Sequence, residues 1–231
     1  MPKYYSIEKG YSFYYLICLT IFFAAVLTSN VMALKLISLW GNISPAGVLV
    51  FPLSYLLLDV LTEVYGYSKA KITIWLGFTA NLFFVLAIMI ARSLPYPSIW
   101  TKQEAFVEIF DNAPRILAAS FLAYFLGSFV NVIIMSKIKT ITKGRLLWLR
   151  FSGAALIGEG VDSFWFVFLA FGGVLTLREV STMFLTQWLL KTLYEILLIP
   201  AASQAVRYLK KKEKREVFDY CVNFNPFSDS F

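Results

Sequence analysis

Histidine is missing from the 231 residues altogether, and cysteine occurs only twice, as Cys18 and Cys221. The first absence removes the commonest metal ligand and general base, and zinc-dependent proteolysis with it. The second leaves no disulfide framework or cysteine cluster, because one thiol falls in the first apolar run and the other near the C-terminus. Neither a G-x-x-x-x-G-K-[ST] phosphate loop nor a G-x-S-x-G nucleophile elbow occurs, so ATP chemistry and serine hydrolysis have no local signature. Charge is scarce too. Asp, Glu, Lys and Arg make up 15% of the chain against 59% hydrophobic residues, and mean hydropathy is +0.69. A soluble domain of this size cannot bury so much apolar surface.

What is present is a series of six long apolar runs, at 11–39, 45–67, 72–94, 114–136, 148–171 and 181–206. About 20 apolar residues are needed for a helix to cross a hydrocarbon core of about 30 Å. The runs lack the two-residue alternation of barrel strands, which leaves helices. The expected fold is therefore all-α, a polytopic membrane protein of six transmembrane helices in one domain, followed by a basic tail at 207–231. The first run is too long for a cleaved leader, and the chain is expected to keep it. Fifteen of the 21 Lys and Arg residues fall in 1–10, 66–72, 137–150 and 207–215. Cytoplasmic loops carry that excess, so both termini are expected in the cytoplasm. The net charge of +7 then reflects orientation and contact with anionic lipid, with no nucleic-acid partner required.

Between the third and fourth runs, "SIWTKQEAFVEIFDNAP" sets Trp100, Phe106, Ile109 and Phe110 among Lys102, Glu104, Glu108 and Asp111. That pattern suits an amphipathic helix lying along the interface, with Asp111 or Asn112 capping the helix that follows.

Within the runs stand ionisable residues that hydrocarbon does not solvate: Asp59 and Glu63, Glu159 and Asp162, and Lys191 and Glu195. Each costs about 2.5 to 3.5 kcal/mol at the bilayer centre on insertion scales. Spacings of three or four place each pair on one helix face, so three helices are expected to line one polar chamber. Lys191 can be read as merely neutralising Glu195, but five acids against one base exceed what internal pairing needs. Glu63 lies nearest the cytoplasmic mouth and is the most expendable. Trp165 and Tyr194 are candidates to stack on a flat ligand. Asn30 and Asn131, Phe51 and Phe151, and Asp59 and Glu159 recur at an offset near one hundred residues, the pattern of a 3+3 inverted repeat with a polar midplane site.

The segments "FPLSYLLLDVLTEVYGY", "LAASFLAYFLGSFVNVIIMSKIK", "SGAALIGEGVDSFWFVFLAFGG" and "LLKTLYEILLIP" together resemble the queuosine precursor transporter family, also labelled vitamin uptake transporters. The resemblance spans residues 25 to 205. It implies import of a 7-deazapurine such as preQ0, preQ1 or queuine for tRNA queuosine modification, with Asn30, Asp59, Arg115, Asn131, Asp162 and Lys191 at the family's polar positions. Glu63 and Glu159 stand where members carry various polar residues. No cofactor, metal or catalytic residue is assigned. The coupling ion and a homo-oligomeric state stay open. Two alternatives remain: the substrate-binding subunit of an ATP-driven importer, and an intramembrane enzyme using an acid pair.

Overall fold

The structure is a computed structural model and describes residues 12–111, 113–214, 216–220 and 222–228. Helices α1 (Phe13–Ala33), α2 (Phe51–Tyr65), α3 (Tyr67–Ser93), α4 (Gln103–Asp111), α5 (Ala113–Ile141), α6 (Leu147–Phe171) and α7 (Leu177–Glu213) carry almost all of its regular structure. The all-α membrane architecture is thus observed. Five segments, those of α1, α3, α5, α6 and α7, are long and apolar enough to cross a bilayer. Their large outward side chains, such as Phe83, Leu189 and Leu197, are exposed, as a lipid-facing surface requires.

The run at 45–67 folds differently from its neighbours. A 3₁₀ turn occupies Ala46–Leu49 and α2 adds 15 residues. At about 2.0 Å and 1.5 Å of rise per residue the two together reach roughly 30 Å. All of α2 except Leu53 and Leu57 is buried, so the other helices sheathe it and it meets little lipid. At its end Gly66 adopts φ +82° and turns the chain directly into α3. A side chain there would enter the left-handed region and also strike Val217.

The first run does not stay helical to residue 39 as expected. Helix α1 ends at Ala33, and β1 (Leu36–Leu39) pairs antiparallel with β2 (Asn42–Pro45). The turn residues Trp40 and Gly41 both have positive φ, the conformation that closes a two-residue hairpin. Apolarity alone does not separate such a strand from a helix end. Helix α4 forms where the amphipathic segment predicts it, with Glu104 and Glu108 exposed and the Phe106 and Phe110 rings 4.9 Å apart. Asn112, one of the two expected caps, lies outside the described residues.

Helix α7 continues through Lys210–Lys212 to Glu213. The segment after it folds back along the seam between α3 and α5. The Asp219 carboxylate accepts from the Tyr67 backbone N–H at 3.1 Å and from the Ser136 hydroxyl at 2.7 Å. Trp75 Nε1 donates to the Pro226 carbonyl at 3.1 Å, and Tyr67 packs edge-on against Phe224. Asp219 is buried. Asp219→Ala is expected to strand two buried donors, at a cost of about 1 to 3 kcal/mol, and to release this segment. Hydrogen exchange should rise at the Tyr67 amide and across 216–228, with the rest of the bundle unchanged.

Candidate functional site

Helical spacing explains which polar groups meet. On α2, Phe51, Tyr55, Asp59 and Glu63 follow one another every fourth residue, and on α7 Gln187, Lys191 and Glu195 do the same. Each step of four advances about 40° around a helix, so these residues form slowly winding stripes. On α6, Glu159, Asp162 and Phe166 share a face. Helix α5 adds Asn131, and the close packing of α5 on α6 depends on Gly158, where a β-carbon would lie 2.7 Å from that of Asn131.

The stripes converge on a buried cluster. The Lys191 ammonium lies 2.6 Å from Asp162 Oδ2 and 3.2 Å from Glu159 Oε2. It also sits over the Phe51 ring, 4.3 Å from the centroid. Asn131 donates its amide to Asp59 Oδ1 at 2.6 Å. Asp59, Glu159, Asp162, Lys191 and Glu195 are each 3% exposed or less. Among the described residues, no donor reaches Asp59 Oδ2 or either oxygen of Glu195, whose neighbour is a second carboxyl, Glu159. Two carboxylates thus hold the ammonium, and two more carboxyl groups, Asp59 and Glu195, belong to the same buried cluster. Such a cluster is costly to build and is complementary to cationic and hydrogen-bond-donating ligands.

Beside it is a narrow cavity lined on the polar side by Asn30, Ser120, Asp162, Gln187 and Lys191 and on the apolar side by Phe51 and Phe166. In this conformation it admits water-sized groups, and a planar ring enters only if its walls part. Asn30 is held in a chain of amides and hydroxyls: Ser120 donates to its Oδ1 and it donates to Asn81 Oδ1, both at 2.7 Å. Asn30 and Asn131 therefore serve different partners.

The structure thus brings together Asn30, Asp59, Asn131, Glu159, Asp162, Lys191 and Glu195. It places the other four candidates elsewhere. Glu63 is buried toward the opposite end of α2, where its Oε1 meets Lys210 at 2.7 Å, Arg150 at 3.1 Å and Lys139 at 3.4 Å. Lys210 also hydrogen-bonds Glu216, outside the helices, and so holds that carboxyl below its usual range. Arg115 donates to the carbonyls of Leu169 and Gly172, closing the end of α6. Trp165 and Tyr194 are 39% and 38% exposed, and Trp165 lines an apolar groove with Phe164, Phe184 and Trp188. Phe51, Phe166 and Gln187 are among the cavity residues that motif reading does not assign to a site. The signal that finds them is angular: Phe166 lies between Glu159 and Asp162 around α6, whereas Trp165 lies about 120° from Glu159.

Comparison with known proteins gives concordant findings. The family described as "putative vitamin uptake transporter" matches residues 45–205. The chain is 27% identical over 191 residues to the "probable queuosine precursor transporter" of Bacillus subtilis (strain 168), covering 82% of this chain and 83% of that one. It is 28% identical over 154 residues to the "queuosine precursor transporter" of Escherichia coli (strain K12), covering 66% and 67% respectively. No solved structure matches.

Proposed function

The chain belongs to the putative vitamin uptake transporter family, and from that membership we propose that it imports queuosine precursors, 7-deazapurine bases, across a bacterial inner membrane to supply tRNA modification. The observation that carries this reading is the carboxyl and amide wall of the cavity, formed by Asp162, Gln187 and Asn30 beside Lys191. A 7-deazaguanine presents N–H donors along its pairing edge and a flat apolar ring. Asp162 and Glu159 offer acceptors to the N–H groups of the base, Phe51 and Phe166 enclose the ring, and Asp59 provides a further acceptor, with Asn131 fixing its orientation. Lys191 keeps the acid wall charged. No catalytic step is assigned.

Orientation follows from where the bases gather. Lys69, Lys139, Arg150 and Lys210 lie with the start of α1, where Tyr15 donates to the Lys69 carbonyl at 3.3 Å. The positive-inside rule puts that end in the cytoplasm, the C-terminal segment with it, and the hairpin on the outer side. The acid cluster then lies between the two faces, and the cavity beside it extends toward the outer side, where Ala33, Pro45 and Gly47 line it.

Proteoliposomes containing only this protein test the proposal. Uptake of radiolabelled preQ0, preQ1 or queuine is expected, saturable and competed by the unlabelled compound. Binding without uptake would instead make the chain the recognition subunit of a larger ATP-driven importer. The absence of both would remove the substrate assignment.

A further inference from the structure

Within the central cluster, Lys191 is held as a ligand would be. Two carboxylate oxygens approach its ammonium at 2.6 and 3.2 Å, and an aromatic face lies 4.3 Å below it. Acidic groups with an aromatic platform are how proteins bind organic ammonium ions. Lys191 is also 3% exposed, so its charge has been moved entirely out of water into this pocket.

Two further observations concern what lies on either side. One turn before Lys191, Gln187 lines the same cavity, is 2% exposed, and has a buried Nε2 with no acceptor among the described residues. An unused buried donor aimed into a cavity awaits a polar group of a guest. One turn after Lys191, Glu195 has two carboxyl oxygens that no donor among the described residues reaches. The long, flexible stem of a lysine can swing its ammonium to the carboxylate four residues on.

Resting on the transport reading above, we propose that Asp162, Glu159 and Phe51 form a primary-ammonium subsite, that Lys191 occupies it in the empty protein, and that the amine of an aminomethyl-bearing base replaces Lys191 there. The displaced ammonium moves to Glu195. After the exchange each of the two ammonium groups has a carboxylate partner, and Gln187 is left to donate to the ring. A neutral member of the same substrate class has nothing to offer the vacated pocket, so Lys191 stays in place and the ring binds without it. Lys191 is on this account a built-in competitor that sets specificity.

Binding of 7-aminomethyl-7-deazaguanine and 7-cyano-7-deazaguanine to the purified full-length protein decides the matter. In the wild type the aminomethyl compound is expected to bind at least about tenfold tighter, and in Lys191→Met, which removes the competitor, that ratio should widen by about another tenfold. Glu195→Gln, which removes the second berth, should narrow the ratio by weakening the aminomethyl compound alone. If both compounds bind the wild type equally, or Lys191→Met weakens both by the same factor, the subsite is refuted while the transport reading stands. If neither of them nor queuine binds the wild type, the transport reading fails and takes this inference with it, whereas binding of queuine alone refutes the subsite and leaves the transport reading standing. Should Lys191→Met not fold, the wild-type ratio and its change in Glu195→Gln still separate these outcomes: a ratio that Glu195→Gln leaves unchanged refutes the exchange.

Discussion

Asp162→Asn is expected to reduce uptake by about 100-fold or more, equivalent to about 2.7 kcal/mol, while leaving membrane levels near normal. Asp162 makes the shortest contact to Lys191, 2.6 Å, and lines the cavity directly. An amide at that position keeps the size of the side chain but replaces one acceptor oxygen with a donor. It therefore repels a ligand N–H donor that a carboxylate would accept and no longer opposes the Lys191 charge. Folding should survive, because Glu159 still lies 3.2 Å from the ammonium. The check is an uptake assay in cells beside a thermal-shift measurement on protein solubilised in detergent. Normal uptake in this variant would take Asp162 out of the site.

Glu63→Ala is expected to behave in the opposite way, with the largest loss of stability and little change in ligand affinity. Glu63 is the shared counter-ion of Lys139, Arg150 and Lys210, and is fully buried. Removing it leaves three cations crowded at the end of the bundle with their common acceptor gone. Breaking a buried ion pair by deleting one partner costs about 3 to 5 kcal/mol. The melting temperature in detergent should drop sharply, yet protein recovered at low temperature should match the wild type in binding the 7-deazapurines proposed as substrates. A weakened affinity at unchanged stability would place Glu63 in the binding site instead. The pair of variants separates two carboxylates that apolar sequence surrounds in the same way.

That separation marks the boundary of what the sequence discloses. The bilayer imposes length and apolarity on each crossing, and so the apolar runs, the helix at Gln103–Asp111 and the burial of the mid-run acids and of Lys191 are legible. Pairing is not legible, because the groups that neutralise Glu63 come from α5, α6 and α7, far along the chain. The hairpin at 36–45 is hidden because its apolar content matches that of a helix, and only the positive φ values at Trp40 and Gly41 distinguish it. Among aromatic residues, closeness in sequence to an acid or base misdirects: Trp165 and Tyr194 follow Asp162 and Lys191 by three residues and face outward. Phe51, eight residues before Asp59, faces the ammonium. Spacing along the chain locates a site only after conversion to angle around each helix.

Helix α2 also poses a problem of timing at the ribosome. Its two carboxylates take their partners from Asn131 and Arg150, 72 and 87 residues further along the chain. At translation speeds of about 5 to 20 residues per second, α2 waits roughly 4 to 17 s before those partners have been made. Throughout that interval it is a short helix bearing two unpaired acids, and each disfavours hydrocarbon by about 2.5 to 3.5 kcal/mol. The second segment to be synthesised must therefore be among the last to settle in the membrane, sheltered at a wet boundary until α5 and α6 arrive to enclose it.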